Sequence, residues 1–349
     1  MLRHDRESII CEQHCRESDL FFINANIGCR KHAMASDALA PLQAPRLFRC
    51  ADVDEFRSLV RDLSVDFTPL ARSIAAEHAI LSLPGCEVNL TRSFPRIVDA
   101  RLADGCTAVA LSMDDGVPIR FNGVERDDGV IAIGGSGAIY SAVETAPREY
   151  ASIIFRPEVT GRGWPQTGAS FHVFEASRPA FLGLRRLVRK IFASASEIGG
   201  LPGTANVATV MRECLLAAID GAVAGFVPAR WTSQANSSRQ FRLFRDIEEA
   251  LAGHLGEVIY SEELAARVGV SVRTMHDAVQ RYRGMSLHRY LRLRRLWLVR
   301  RQLIAGAESV KAAALAYGFW HLSDFSQAYR QQFDETPSET LARSRRRAS

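Results

Sequence analysis

The sequence has no run of eighteen apolar residues, and its N-terminus has no apolar segment. A membrane-spanning helix needs about twenty apolar residues, and a secretory signal needs a hydrophobic stretch of about 7–15. His4, Asp5, Arg6 and Glu7 stand where such a signal would begin. The sequence therefore predicts a cytoplasmic protein with no membrane partner.

Cysteines are few and scattered, with seven among 349 residues. An odd, dispersed set in a large chain argues against a disulfide framework. One N-terminal group has the side chains that zinc prefers, namely Cys11, His14, Cys15, Cys29 and His32. Its spacing fits no known zinc pattern, so ordinary reduced thiols are favoured, no metal is predicted, and zinc stays as the alternative.

Motifs for catalysis are also missing. We find no phosphate-binding loop, no nucleophile elbow and no metalloprotease motif. Gly134–Gly137 follows a predicted strand but has neither a lysine nor a following helix, so it is interpreted as a loop. Cys214 lies in a helical pattern and is interpreted as a small core residue. No enzymatic activity and no cofactor are predicted.

Charge is present but unevenly placed. The chain has a net charge of +5, with 44 basic and 39 acidic residues. Residues 239–349 hold 19 of the basic and 12 of the acidic groups, which leaves the rest of the chain slightly negative. A basic bias confined to one region is typical of a domain that binds a polyanion.

Residues 1–45 show no sustained periodicity and are predicted to be a poorly ordered extension. A short amphipathic helix is predicted over 54–63. Short strands separated by turn signals follow, at His78–Leu83, Glu87–Thr91, Arg96–Leu102, Thr107–Met113, Pro118–Phe121, Val130–Ile133, Ala138–Val143 and Tyr150–Phe155. Asn122-Gly123 is a strong hairpin signal. This pattern, with helices after Arg178, predicts an antiparallel barrel or sandwich within a domain over 46–227.

A Ser-, Asn- and Gln-containing stretch over 228–239 is predicted to be a linker. The domain after it, over 240–343, has helical periodicity and is followed by a basic tail over 344–349. Ser261–Val268 predicts a helix that Gly269 ends, and Ser271 can cap a second helix. Helix, short glycine turn and helix form the unit that places a second helix in the DNA major groove.

The same pattern recurs about fifty residues later. Ser309 can cap a helix that Gly318 ends, and a further helix follows with Phe325, Tyr329 and Phe333 on its buried face. Between the two units, eight arginines and no acidic residue occur from Ala278 to Ala307. We predict a long basic helix there that holds two DNA-reading helices apart.

Here the chain resembles a known family. The motif residues are Gly269–Gly284, Tyr290-Leu291, Arg295-Leu296, Tyr317-Gly318-Phe319, Phe325, Tyr329, Phe333 and Thr336-Pro337. They are similar to the DNA-binding domain of AraC/XylS-type transcription regulators, and Tyr290–Leu303 and Tyr317–Leu341 resemble the ethanolamine operon regulator branch. Met275 and Val279 stand where Leu and Phe are usual, and Asp334 and Glu335 also depart from the family pattern. The resemblance covers about a hundred residues.

The resemblance implies an α+β protein of two domains, with an N-terminal cupin-like antiparallel β-barrel or sandwich that carries helices and a C-terminal all-α double helix-turn-helix. It also implies double-stranded promoter or operator DNA, a small-molecule effector of unknown identity, a second copy of the chain and RNA polymerase as partners. The alternatives are an architectural DNA binder without a ligand and an enzyme fused to a DNA-binding module.

Packing of Met275 and Val279, and of Phe325 and Tyr329, decides which side chains face DNA. We predict base reading by Arg273, Thr274, His276, Asp277, Gln280, His321, Leu322, Ser323, Ser326 and Gln327. Arg281, Arg295 and Arg330 are predicted to contact phosphate, with an internal ion pair as the alternative for Arg295. Trp320 is expected to pack beside Phe319. Residues 239–349 are expected to fold and bind DNA without the rest of the chain.

Overall fold

The computed structural model describes residues 41–126, 129–165, 168–224, 234–252 and 261–348. The strands are β1 (Arg46–Cys50), β2 (Leu63–Pro69), β3 (Ala76–Leu83), β4 (Cys86–Ser93), β5 (Arg96–Leu102), β6 (Thr107–Ser112), β7 (Ile119–Phe121), β8 (Val124–Arg126), β9 (Val130–Gly134), β10 (Ile139–Glu144), β11 (Arg148–Phe155) and β12 (Phe171–Glu175). The helices are α1 (Val53–Leu59), α2 (Arg178–Ile198), α3 (Ala205–Val223), α4 (Gln234–Ala252), α5 (Ser261–Val268), α6 (Val272–Arg283), α7 (Leu287–Ile304), α8 (Val310–Ala316), α9 (Leu322–Phe333) and α10 (Pro337–Ala348).

The strands form two antiparallel sheets. The seven-stranded sheet has the order β1-β3-β4-β11-β6-β9-β12, and the five-stranded sheet has the order β2-β5-β10-β7-β8. Two facing sheets make a sandwich, so the predicted N-terminal fold class is confirmed in its sandwich form and not as a closed barrel.

Each predicted strand overlaps a strand of the structure, but β1, β2, β8 and β12 were not predicted. The hairpin prediction is confirmed, because Asn122 and Gly123 have φ of 45° and 76° between paired strands β7 and β8. The predicted helix over 54–63 is α1. It ends at Leu59, and the chain turns at Asp62, whose φ is 58°, into β2.

Side chains alternate across the seven-stranded sheet, so its two faces have different surroundings. On β11, Ala151, Ile153 and Phe155 pack with the buried faces of α2 and α3 in one hydrophobic core. Tyr150 and Ser152, on the same strand, line a cavity on the opposite face. The helices therefore cover the outer face, and the inner face looks toward the second sheet.

The five-stranded sheet also separates two environments. On β10, Tyr140 and Ala142 line the cavity. Val143 on β10 and Ile97 on β5 belong instead to a core cluster that includes Leu264 of α5. One face of this sheet thus encloses the cavity, and the other packs against the helical domain formed by α4 to α10.

The helical domain has two core clusters, and α7 contributes to both. Leu287, Tyr290 and Leu293 at the start of α7 join the cluster of α5 and α6. Leu296, Val299 and Leu303 further along α7 join the cluster of α8 and α9. Each helix pair therefore has its own core on one shared helix, which confirms the predicted double helix-turn-helix.

Several predicted boundaries change. Residues 41–45 belong to the fold, since Leu42 is buried and its N–H donates to Thr204 Oγ1 at 3.0 Å. Residues 234–239 of the predicted linker are the first turns of α4. Residues 344–348 of the predicted tail belong to α10. Cys214, predicted to be core, is exposed on α3.

The N-terminal zinc alternative lies outside the described residues, as do the remaining parts of the extension and linker. Within the described ranges, no group of three or more His, Cys, Asp or Glu side chains could hold a metal ion. Among the helices of those ranges, none combines the length and apolar character needed to cross a membrane.

Candidate DNA interface and sandwich cavity

The two predicted reading helices, α6 and α9, begin after the same kind of turn. Gly269 and Gly318 have φ of 72° and 74°, a left-handed conformation that favours glycine. At the start of α6, the Ser271 hydroxyl accepts a hydrogen bond from the N–H of Thr274 at 3.1 Å. Such a cap fixes where a helix starts and therefore which of its residues face outward.

The burial pattern of residues 271–280 repeats position by position at 321–330. In both ten-residue stretches the fifth, eighth and ninth residues are buried, and these are Met275, Ala278 and Val279 in the first and Phe325, Ala328 and Tyr329 in the second. The predicted base-reading residues that are exposed are Arg273, Thr274, His276, Asp277, Gln280, His321, Ser323, Ser326 and Gln327. Leu322 differs, because it is half-buried against the second core cluster.

Arg273 and Ser326, two of these exposed side chains, contact residues of their own helices. Arg273 Nε lies 3.8 Å from Asp277 Oδ2, and both side chains are more than 70% exposed at 92% and 73%. An exposed pair of this length is weak, so Arg273 is free to change partners. The Ser326 hydroxyl donates to the carbonyl of Leu322 at 2.8 Å and retains its acceptor lone pairs.

Trp320 was expected in the core, but it is 63% exposed just before α9. Phe319 packs with Phe325 instead, with ring centroids 5.0 Å apart. A single exposed apolar side chain is common on protein surfaces, so the exposure of Trp320 does not by itself indicate a binding role. Sequence reasoning missed Trp320 because two adjacent aromatic residues do not reveal which one faces inward.

The predicted phosphate contacts divide into two groups. Arg281 and Arg330 are exposed in the last turns of α6 and α9. Arg295 is half-buried on α7, and burial lowers the pKa of its guanidinium. Its surroundings therefore favour the alternative, in which Arg295 acts within the domain.

The basic run of α6 and α7 is less exposed than the sequence suggested. Arg300 Nη1 lies 2.6 Å from Glu335 Oε1, and its guanidinium sits over the Phe333 ring at 4.5 Å. Arg294 Nη1 donates to the Tyr290 hydroxyl at 3.1 Å. These two arginines have partners within the protein, so only part of the run is available to a polyanion.

Arg283, at the end of α6, joins the helical domain to the sandwich. Its side chain is fully buried, and its Nη1 and Nη2 donate to the two Asp99 carboxylate oxygens at 3.0 and 2.9 Å. Nη1 also donates to Ser141 Oγ at 2.8 Å, and Nη2 lies 3.0 Å from Glu248 Oε2. Burial alone would lower the pKa of Arg283, but Asp99 and Glu248 raise it well above its usual value. We call these four residues the Arg283 junction.

Further contacts surround the junction. Trp297 Nε1 on α7 donates to the carbonyl of Pro69 at 3.0 Å, and Arg120 Nη1 on β7 donates to the carbonyl of Arg281 at 2.8 Å. At the β7–β8 turn, a Cβ on Gly123 would lie 3.0 Å from the Arg281 side chain. The end of the first reading helix is therefore held against the five-stranded sheet.

The sandwich encloses a cavity of about 110 Å³ between its two sheets. Apolar side chains line much of it, including Val65, Phe67, Val98, Ile119, Phe121, Ala132 and Ile154. The seven-stranded sheet adds polar groups from His78, Asn89, Ser112 and Ser152. A mostly apolar lining with a few polar groups is typical of a small-molecule binding site.

His78, which lines the cavity, makes the stability of the fold depend on pH. Its Nδ1 lies 2.7 Å from Thr91 Oγ1, and burial together with Arg96 lowers the pKa of His78 to about 4. Between pH 6.5 and 5 the unfolded chain gains a proton at this residue while the folded chain stays neutral, so the free energy of unfolding falls by about 2 kcal/mol. Urea denaturation of His78→Asn should show a correspondingly flatter dependence on pH. The unmodified chain, measured in parallel, is the reference for this comparison.

Comparison with known proteins identifies the helical domain. The family model described as "Helix-turn-helix domain" matches residues 264–343. This region is a helix-turn-helix domain. The match covers both helix pairs and the helix between them, and it confirms the resemblance of the C-terminal hundred residues to AraC/XylS-type regulators.

Relatives of this helix-turn-helix domain include two transcriptional activators. The chain is 33% identical over 103 residues to the XylDLEGF operon transcriptional activator 3 of Pseudomonas putida, which covers 29% of this chain and 31% of that protein. It is 35% identical over 89 residues to the HTH-type transcriptional activator RhaS of Klebsiella pneumoniae, which covers 26% and 32%. The chain thus spans about a third of the length of these curated relatives.

A solved structure is also similar to part of the chain. It is a probable AraC family transcriptional regulator from Rhodopseudomonas palustris, with 38% identity and a TM-score of 0.28, and the match covers 30% of this chain and 97% of that one.

Proposed function

We propose that the protein is a sequence-specific DNA-binding transcription regulator that responds to a small molecule. The observation that carries this proposal is the repeat of one burial pattern on α6 and α9, which turns two sets of polar side chains outward within a helix-turn-helix domain. Two reading helices on one scaffold suit an asymmetric site with contacts in successive major grooves.

Within this proposal, the outward residues divide by chemistry. Arg273, His276 and Gln280 can reach base edges from α6, and His321 and Gln327 can do so from α9. Thr274, Asp277, Ser323 and Ser326 are proposed to contact base edges as well. Leu322 is half-buried, so only its exposed part can contact DNA. Arg281 and Arg330 contact phosphate and set register.

Sequence preference tests the reading faces. Arg273→Ala should relax the preference in one half of the bound site, at about 1–3 kcal/mol for each lost base contact. His321→Ala and Gln327→Ala should relax the preference in the other half. Selection of bound sequences from a random duplex library measures both effects. If the three variants keep an unchanged preference at every base, the assigned faces are wrong.

Arg330→Ala, at a proposed phosphate contact, should behave differently from the base-reading variants. Loss of a phosphate contact should weaken binding to specific and random duplexes alike and should reduce the salt dependence of binding. A change of base preference in Arg330→Ala would move this residue to the base-reading set.

An architectural DNA binder without an effector is the second candidate. A protein that wraps DNA would be basic throughout, whereas the chain outside 239–349 is slightly negative. The enclosed cavity and its polar face favour a sensor. An effector acts by binding two arrangements of the protein with different affinity. We infer that the two arrangements differ at the Arg283 junction, because it joins the helical domain to the sandwich.

Three narrower proposals accompany this function. A second copy of the chain would double the number of DNA-reading helices, and RNA polymerase would be the downstream partner, as expected for regulators of this type. Tyr290–Leu303 and Tyr317–Leu341 support the ethanolamine operon regulator branch. Light scattering tests the dimer, and mapping of bound genomic sites with their neighbouring genes tests the branch.

A further inference from the structure

The cavity between the sheets ends in a charged cluster. Arg96 on β5 lies opposite Glu144 on β10, and Arg148 on β11 lies opposite Ser93 on β4. Ser93 Oγ donates to Glu144 Oε2 at 3.2 Å and so links the two sheets. Arg96, Glu144 and Arg148 all line the cavity, and we call them the arginine end.

The arginine end carries one more positive charge than negative charge. Arg96 Nη2 lies 3.3 Å from Glu144 Oε2, which pairs one guanidinium with one carboxylate. Arginine is always protonated in proteins, so Arg148 adds a second cation. His78 is neutral at pH 7, because burial lowers its pKa to about 4. Among the described residues no acid forms an ion pair with Arg148.

Several hydrogen-bond donors of the arginine end are buried and have no acceptor. Nε and Nη1 of Arg96 and of Arg148 have no hydrogen-bond partner, although the two residues are only 2% and 3% exposed. Aromatic rings can account for Arg96, because its guanidinium sits over Phe67 at 4.9 Å and over Phe56 at 5.3 Å. No described ring lies over Arg148 in this way. A buried charged donor without an acceptor is strongly unfavourable, so Arg148 requires an anion from outside the chain.

We propose that the cavity binds a small monocarboxylate with an apolar body. The carboxylate oxygens accept hydrogen bonds from the free N–H groups of Arg148 and Arg96, and the apolar body lies among Val98, Ile119 and Phe121. This inference rests on the proposed sensor function and names the chemical class of its effector.

Charge and size limit which anions the cavity can bind. At the arginine end, one uncompensated positive charge matches a monoanion, whereas a phosphate dianion would leave excess negative charge beside Glu144. A planar guanidinium pairs with a carboxylate through two parallel hydrogen bonds. A cavity near 150 Å³ is known to hold benzene, so a cavity of about 110 Å³ fits a compact body of similar or smaller size.

Isothermal titration calorimetry on the full chain tests the proposal. The probes are acetate, butanoate, hexanoate and benzoate, each compared with its neutral amide, and inorganic phosphate. At least one carboxylate should bind with one-to-one stoichiometry, and its amide should bind roughly 10- to 100-fold more weakly, because a charge-assisted pair is lost. Failure of every carboxylate, equal binding of a carboxylate and its amide, or tighter binding of phosphate would overturn the proposal.

Arg148→Met should weaken carboxylate binding by a similar factor, and Arg92→Met, at a 63% exposed arginine of the same sheet, should leave it unchanged. Thermal unfolding without ligand separates binding from structure. Arg148→Met should melt at the same temperature or higher, because it removes a buried unpaired charge. A lower melting temperature with unchanged carboxylate binding would make Arg148 structural.

DNA footprinting of the same preparations distinguishes failure of the effector proposal from failure of the proposed regulator function. A sequence-specific footprint without carboxylate binding overturns the effector class alone. Carboxylate binding without a specific footprint overturns the proposed regulator function instead.

Discussion

Arg283→Met is expected to lower the free energy of unfolding by about 3–5 kcal/mol. The side chain is fully buried, and its guanidinium is shared between Asp99 of the sandwich and Glu248 of α4. Methionine keeps much of the volume but removes the guanidinium that Asp99 and Glu248 share, so Asp99 loses its ion pair and Glu248 keeps only the longer contact with Arg294 at 3.8 Å. Removing one partner of such a group costs more than the intact group contributes, because the remaining charges stay desolvated. Urea denaturation monitored by circular dichroism measures the change.

Arg49→Met is the matched control. Arg49 on β1 pairs with Glu77 on β3 at 3.2 Å, but the Arg49 side chain is 78% exposed. A surface pair of this kind contributes no more than about 1 kcal/mol. Equal stability losses in the two variants would show that the Arg283 junction contributes no more than a surface ion pair.

Phe325→Ala is expected to cost about 3–5 kcal/mol and to remove the second reading helix from DNA. Phe325 is 1% exposed and packs between Phe319 and Tyr329, with centroid distances of 5.0 and 5.7 Å. The cavity left behind lies in the core of α8 and α9, which is separate from the core of α5 and α6. DNase footprinting should therefore lose protection in one half of the site and keep it in the other.

Trp320→Ala is the control for this prediction, since it removes a larger ring that is mostly exposed. Its free energy of unfolding should change by about 0.5 kcal/mol or less. Loss of protection over the whole site in Phe325→Ala, with the fold of α5 and α6 intact, would contradict two independently packed reading helices.

The sequence predicts local structure well where a short pattern determines it. Asn122-Gly123 requires two positive φ angles and therefore marks a hairpin. The spacing of Met275 and Val279, and of Phe325 and Tyr329, shows which face of each reading helix is buried and hence which residues face outward. These features depend on neighbours within a few residues, so one sequence is enough to find them.

The sequence does not predict which residues pair when they are far apart in the chain. Arg283 stood in a run of eight arginines that seemed to share one role, and its partner Asp99 lies 184 residues away. Nothing in the local pattern separates Arg283 from exposed Arg281, two positions earlier. We expected residues 239–349 to fold alone. In the structure, Ile97 and Val143 of the sandwich complete the core around Leu264 and Met275, and no sequence pattern predicts this contact.

Because side chains alternate along β10, neighbouring residues of this strand face different surroundings. Tyr140 and Ala142 face the cavity, while Ser141 between them holds the Arg283 guanidinium at the end of a reading helix. A strand is a stiff unit, so displacement of its inner face moves its outer face as well. Thermodynamic reciprocity then sets a strict condition on the protein: whatever factor an effector applies to DNA affinity, operator DNA must apply to effector affinity. Occupied promoters would hold their effector more tightly, or more loosely, than the free protein does.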